Sequence, residues 1–251
     1  MGTKKLRFCD YDRIALLNHI ESYCLLQDSP SIRVFACDAR TLWLYSKKDS
    51  YIVEPYDRAD FILADGRPVY WLSKLRGNQI NSQLTGPDLM INILSDERFQ
   101  GMRHFFYGSD ESTLALLKQK ARKFNVNIVG AVSPPFVPIE SMDVTEAERL
   151  VNEYKPDFFW CGLGAPKQEY LINLINPNNR TIMVGVGLGF NYYAENVIRS
   201  PKWISTIGCE WLFRYAQQPN RVARFIRPFF FIIGELFSEI FRDIFLRRRK
   251  Q

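Results

Sequence analysis

Histidine is nearly absent, with only His19 and His104 in 251 residues. A histidine-based nucleophile relay therefore has little to draw on, and a carboxylate becomes the natural general base. Cysteine occurs five times, an odd number without paired spacing. That pattern leads us to expect reduced thiols in a cytosolic protein rather than a disulfide framework, and it gives no support to a zinc cage. No His/Cys/carboxylate cluster has metal-ligand spacing, so neither metal nor cofactor is expected. Asp10-Tyr11-Asp12 imitates a metal-holding acidic pair, but it precedes the first helical pattern, where a helix-start role is the expected one. No uncharged apolar run approaches the roughly 20 residues of a spanning helix, and PFFFIIG from Pro228 to Gly234 is far too short. The start MGTKKLRFCDYDR is polar and quickly acidic, so no export signal is expected there.

What is present is an ordinary globular balance, 47% hydrophobic and 24% charged, which excludes wholesale disorder. The formal charge of +6 is unevenly placed. From Arg199 onward 11 basic residues face 4 acidic ones, while the rest of the chain holds 22 against 23. The tail, not the whole protein, calls for an anionic partner.

Strand-like and helix-like segments alternate through the first 190 or so residues. Helical DRIALLNHIESYCLLQ precedes the strand Ile32–Cys37, and helical TLWLYSKK follows it. Next come the strand FILADG and the helices PVYWLSKLRG and TGPDLMINIL. The strand MRHFFYGS, the helix ESTLALLKQKARKF, the strand NVNIVGAV and the helix EAERLVNEYK follow. The strand of DFFWCGLGAPKQE, the helix KQEYLINLI and the strand TIMVGVGLGF close the series. Such alternation predicts an α/β fold: a Rossmann-like parallel sheet with helices on both faces.

In these sheets ligands bind at the carboxyl ends of the strands, so the short loops there carry the candidates. They are Cys37-Asp38, Ala64-Asp65-Gly66, Tyr107-Gly108-Ser109, Gly162–Pro166 and Gly185–Asn191. The loop in DFFWCGLGAPKQE ends a buried strand in small residues and opens a helix, so it is expected to offer backbone N–H groups to a ligand. Gly108-Ser109-Asp110-Glu111 joins a strand to a capped helix and suits a phosphate or ribose, or is simply a capped turn. Asp65 is either half of an Asp-Gly turn or an acid standing where a base acts. Gly162-x-Gly164 and Gly185-x-Gly187-x-Gly189 are incomplete as a dinucleotide fingerprint. That fingerprint belongs on the first strand, and Gly189 leads into Phe-Asn-Tyr-Tyr where a helix is needed.

Beyond Asn191 tryptophan, arginine and phenylalanine dominate, which divides the chain into a catalytic unit, 1–195, and a basic helical appendage, 196–251. Phe229, Ile233, Leu236/Phe237, Ile240 and Ile244 follow steps of three and four, and Arg247-Arg248-Arg249-Lys250 ends the pattern. This is an amphipathic helix with a polybasic end, suited to packing on its own domain or to an anionic membrane surface. Basic residues contribute on the order of 1 kcal/mol each at such a surface. The catalytic unit has no basic face, so no nucleic-acid partner is expected.

Several strings then converge. Ala64-Asp65-Gly66 with WLSKLRG, TGPDLM, FFYGSDES, Val129-Gly130 with Pro134-Pro135-Phe136, DFFWCGLGAPKQE, GVGLGFNYYAEN and SPKWISTIGCEWLFRYAQQPNRVARF together resemble the WecG/TagA/CpsF glycosyltransferases, family twenty-six. The match runs from about Arg33 to Phe225. The resemblance implies an inverting, metal-independent hexosyltransferase that moves sugar from a UDP-sugar to a polyprenyl-diphosphate-linked saccharide. Its setting would be the cytoplasmic face of a bacterial inner membrane, in surface-polysaccharide synthesis. By position it makes Asp65 the general base and turns Gln168 toward the donor sugar, with Lys167 near phosphate. It puts Arg214, Arg221 and Arg224 at the family's arginine positions, either as the cations that stabilise the departing UDP, a task suited to guanidinium forks, or in contact with lipid headgroups or the acceptor's diphosphate. Asp38, Gly108, Ser109, Gly164, Gly187 and Asn191 complete the expected substrate-binding set.

Two positions depart from the family's usual pattern. Ala36-Cys37-Asp38 stands where Thr-Pro-Asn is common, and Leu188-Gly-Phe-Asn191 where Gly-Thr-Phe-Asp is usual. Asn191 still accepts from a uracil N–H through its carbonyl. Together they point to a donor other than the N-acetylmannosamine type, such as UDP-glucose. The rival expectations are a catalytically silent nucleotide-sugar-binding scaffold and a dinucleotide-dependent oxidoreductase.

Overall fold

Six short apolar strands are the centre of the molecule, seen in a computed structural model that describes residues 6–26, 29–217 and 223–248. They are β1 (Ile32–Cys37), β2 (Phe61–Ala64), β3 (His104–Gly108), β4 (Ile128–Val132), β5 (Phe158–Gly162) and β6 (Ile182–Gly185). All pairings are parallel, in the order β2-β1-β6-β5-β3-β4. Because successive side chains point to opposite faces, each strand feeds two cores. Phe106, Phe158, Trp160 and Val184 enter one; Phe35, Phe105, Phe159 and Met183 enter the other.

On the first face lie α1 (Arg13–Leu25), α5 (Gly86–Ser95), α6 (Glu111–Arg122) and the short α9 (Gly189–Tyr193). On the second lie α2 (Ala39–Ser46), α3 (Ser50–Asp57), α4 (Arg67–Leu75), α7 (Val144–Tyr154) and α8 (Lys167–Leu174). Crossings toward β2 use the second face and the crossing from β3 to β4 the first, as a single crossover hand requires, while the connection from β2 to β3 lays α4 on the second face before α5 on the first. Side chains of Asp12, Asp38, Asp49, Thr85, Asp110 and Asp143 accept a backbone N–H at the starts of α1, α2, α3, α5, α6 and α7. Each such cap is worth about 1 kcal/mol. Asp12 thus serves as a helix cap, its Oδ1 taking the Ala15 N–H at 2.8 Å.

Two expectations need correction. The run TIMVGVGLGF is not one strand: β6 stops at Gly185, and Gly189–Tyr193 is helical. The sequence argument that Gly189 leads into no helix therefore fails, because Phe190 and Tyr193 are drawn under the sheet and bend the chain into a turn of helix. The segment Ser50–Asp57, passed over in the sequence, is a helix despite Pro55.

Past α10 (Lys202–Thr206) and α11 (Glu210–Gln217), the chain ends its described part in the long α12 (Ala223–Arg248). This helix packs on α2 and α4, and its Ile232 is buried in the second core. Ile233 and Leu236 pack against the same core, whereas Phe230, Phe237, Phe241 and Ile244 are exposed. The single apolar face expected from the sequence is therefore two faces. The side chains of Arg247 and Arg248, and all of Arg249 and Lys250, lie outside the described residues. Arg76, which caps α4, donates from Nε to Glu239 Oε1 at 3.0 Å and from Nη2 to Glu235; Glu239 also pairs with Arg242. This ion cluster ties α4 to α12.

His104 is a core residue. Its Nδ1 accepts from Trp160 Nε1 at 3.1 Å, it stacks on the Phe158 ring, and burial pulls its pKa down to about 4. The unfolded chain takes up this proton near the ordinary 6.5, whereas the folded chain refuses it until about 4. The His104 contribution is complete above 6.5 and falls away as pH drops toward 4. Between about pH 7 and about pH 5 the native chain should lose about 2 kcal/mol more stability than His104→Gln, measured by urea unfolding. Equal losses would show that the ring titrates normally.

Candidate active site

Because all strands are parallel, every carboxyl end lies on one edge, and the chain has placed short loops there. The ends of β1, β6 and β5 adjoin at the centre, with β2 on one side and β3 on the other. Over this edge lies a cleft of about 1050 Å³. Of the residues expected from sequence, Asp38, Asp65, Ser109, Gly164, Lys167, Gln168, Gly187 and Asn191 all line it. Gly108 does not. A Cβ there would stand 2.7 Å from the Gly162 carbonyl carbon, so its smallness lets the ends of β3 and β5 close up.

Asp65 directly follows β2, its N–H donating to the Cys37 carbonyl at 3.0 Å. That bond locks the end of β2 to the end of β1. Gly66 then takes a φ of 87°, which turns the chain sharply into α4. The half-buried Asp65 also lines a second, smaller cavity of about 100 Å³, walled by Gly208 beyond α10 and by Phe229 and Ile232 of α12. Asp38, Arg40 and Asp65 border both spaces. A carboxylate at such a junction is placed to act between two bound molecules.

Asp38 caps α2, its Oδ1 taking the Thr41 N–H at 2.7 Å. Asn191, on α9, donates from Nδ2 to Thr113 Oγ1 at 3.3 Å. Lys167 donates to the Val137 carbonyl, with its ammonium 4.1 Å from the centre of the Phe136 ring, and so pins the loop after β4 to α8. Gln168 is nearly buried. Its Oε1 accepts from the N–H of Gly164 at 3.2 Å and of Gly187 at 2.9 Å. The Gly164 N–H, one of the backbone donors that the sequence offered to a ligand, is thus taken up by this side chain, together with that of Gly187.

The expectations for Arg214, Arg221 and Arg224 cannot be placed. The side chains of Arg214, on α11, and Arg224, on α12, lie outside the described residues, as does all of Arg221. Among the described residues no group of three or more His, Cys, Asp or Glu is arranged to hold a metal.

One residue that lines the cleft and one buried behind it escaped the sequence reading. Arg40 donates from Nη1 to the Ala165 carbonyl at 2.7 Å, tying the loop after β5 to α2. Its signal was position, two residues past the Asp38 strand end. Glu169 is fully buried, and burial pushes its carboxyl up to about 7. An acid one turn into a helix reads as solvated, so only the fold reveals it.

Two of the chain's relatives align over most of its length. A protein of Bacillus spizizenii (strain W23) named N-acetylglucosaminyldiphosphoundecaprenol N-acetyl-beta-D-mannosaminyltransferase is 27% identical over 224 residues, covering 88% of this chain and 85% of that protein. A protein of the same name from Bacillus subtilis (strain 168) is 27% identical over 181 residues, covering 71% and 69%. The family model for the glycosyl transferase WecG/TagA/CpsF family matches residues 5–244, and the chain belongs to that family.

Proposed function

We propose that this protein is an inverting, metal-independent hexosyltransferase. It moves a sugar from a UDP-sugar to a saccharide on polyprenyl diphosphate, for bacterial surface polysaccharide such as exopolysaccharide, capsule or O-antigen. The observation that carries the reading is Asp65 at the boundary of two cavities. The larger cleft suits the nucleotide sugar, and the smaller space suits the acceptor's terminal sugar. Asp65 takes the proton from the acceptor hydroxyl as it attacks the anomeric carbon, and UDP leaves from the opposite side. The names of the two relatives support a sugar on undecaprenyl diphosphate as acceptor.

A departing diphosphate needs cations. Among the described residues the cleft is lined by Asp38, Asp65, Asp110, Asp143 and Glu146 against only Arg40 and Lys167. That deficit supports a role for Arg214, Arg221 and Arg224 of the appendage, residues 196–251, in closing over the catalytic unit, residues 1–195. One well-aimed donor changes such a rate by roughly 10²–10³. Asp38 and Asn191, the two departures from the family pattern, both line the cleft. Their placement supports a donor sugar different from that of the two relatives. UDP-glucose is the expected donor and UDP-N-acetylmannosamine the comparison. Incubation with these donors, a synthetic polyprenyl-diphosphate saccharide and excess chelator should yield product. A strict requirement for manganese or magnesium would overturn the metal-independent mechanism, and no product from any donor would overturn the function.

No helix of the described residues is long and apolar enough to cross a membrane. We place the protein peripherally, on the cytoplasmic leaflet, through the outward stripe of α12. Phe230 and Phe241 are each 68% exposed on that stripe. Deleting α12 would uncover the core around Ile232, so a surface change is the sound test. Phe230→Ser, Phe237→Ser and Phe241→Ser together should move the protein from anionic vesicles into the soluble fraction in a flotation assay. Unchanged flotation would refute the membrane contact.

A further inference from the structure

The loops that floor the cleft are joined through one carboxamide, and its orientation needs an explanation. Gln168 Oε1 takes two backbone N–H groups, from Gly164 after β5 and Gly187 after β6. Both glycines have positive φ, 77° and 52°. A Cβ on Gly185 would stand 2.8 Å from Gln168 Nε2, so β6 ends in a residue that leaves this side chain room. A flipped carboxamide would set its NH₂ against both N–H donors. The acceptor on the other side adds to those donors in opposing the flip: Glu169 Oε1 lies 3.0 Å from Gln168 Nε2. Glu169 is fully buried, and its Oε2 has no hydrogen-bond partner among the described residues. A buried acid with an orphaned oxygen is an expensive residue to keep for packing alone.

We infer that Glu169 is a positioning residue for glycosyl transfer: it holds the Gln168 carboxamide in the one orientation that clamps the β5 and β6 loops together beneath the donor. The clamp itself is independent of substrate, whereas its kinetic consequence rests on the function proposed above. The groups around Glu169 are Asp38 and Arg40 beyond β1, Cys37 at its end, Tyr56 on α3 and Cys161 on β5. Burial raises the carboxyl to about 7, Asp38 pushes the same way, and the bond from Gln168 and the charge of Arg40 pull against them. Below that value the neutral acid still accepts from Gln168. Above it the carboxylate accepts more strongly and places a buried negative charge behind a cleft meant for a diphosphate. Donor KM should therefore rise with pH across neutrality.

The first test is amide hydrogen exchange in the native chain, Glu169→Gln and Glu169→Leu. Glu169→Gln retains a carbonyl acceptor, so protection of the Gly164 and Gly187 amides should stay native-like. Glu169→Leu leaves the Gln168 amide unsatisfied, and protection at those two amides should fall by about tenfold or more, with Phe106 in β3 unchanged. Native protection at Gly164 and Gly187 in Glu169→Leu would overturn the inference. Should Glu169→Leu fail to fold, Glu169→Met, of similar length and likewise without an oxygen acceptor, decides by the same exchange measurement, and native protection at Gly164 and Gly187 there would overturn the inference. Donor KM should rise several-fold from about pH 6 to about pH 8 in the native chain and stay level in Glu169→Gln. Absence of transfer by the native chain with every donor would count against the proposed function alone, because the exchange signature needs no substrate.

Discussion

Asp65→Asn should lower kcat for sugar transfer by roughly 10²–10⁴ while leaving UDP-sugar affinity within about twofold. The amide matches the carboxylate in size, and the turn through Gly66 and the Asp65 N–H bond to Cys37 are backbone features that the substitution leaves alone. What disappears is the ability to accept the hydroxyl proton. Isothermal titration with the donor and steady-state turnover, measured on the same preparation, separate the two quantities. Asp38→Asn tests the other carboxylate that borders both cavities. Asparagine caps a helix as well as aspartate does, so α2 should persist. Collapse of turnover in Asp38→Asn, with Asp65→Asn still active, would reassign the base to the neighbouring loop.

Arg76→Ala should destabilise the protein by about 2 kcal/mol and loosen α12. Breaking a buried ion pair typically costs about 3–5 kcal/mol. Here Glu239, 8% exposed, retains Arg242, and Arg76 is itself one-quarter exposed, so the expected loss is smaller. For a chain of this length, that corresponds to a fall in Tm of about 4–8 °C. The more telling readout is hydrogen exchange along residues 226–244, which should quicken as α12 leaves α2 and α4. Combining Arg76→Met with Glu235→Gln and Glu239→Gln should recover much of the loss, since no buried charge is then left unpaired. If the triple variant is no more stable than Arg76→Ala, packing rather than charge pairing holds the helix. Loosening also bears on chemistry, because Phe229 and Ile232 wall the smaller cavity beside Asp65.

The sheet and its binding edge were legible because the signals were local. Ile32–Cys37 has apolar residues of strand length and an Asp stop, and each strand-to-helix junction carries a capping acid or a glycine. Recognition of the loops followed from the parallel topology alone. Where the reading failed, the cause was an ambiguous or a distant contact. An apolar run such as MVGVGLGF has no period that separates strand from buried helix, so α9 was hidden. Pro55 broke the pattern of α3. The Gln168 carbonyl is claimed by Gly187, 19 residues away, and nothing in the string GAPKQE announces that partner. In the tail, steps of three and four were real but divided between two surfaces. Phe229 turns to the cavity beside Asp65, Phe230 to the outside and Phe231 against the core.

The strand order has a bearing on how the chain is made. The two outer pairs, β1 with β2 and β3 with β4, are complete by Val132, yet the strands that join them begin only at Phe158. During synthesis the nascent chain therefore carries two half-sheets, each with a rim of unpaired backbone N–H and C=O groups awaiting a neighbour. Until β5 and β6 slot between them these rims can pair wrongly, within the chain or with another ribosome's product. The keystone arrives late, which makes a fragment ending before residue 158 a poor candidate for independent folding and the final closure a slow, long-range event.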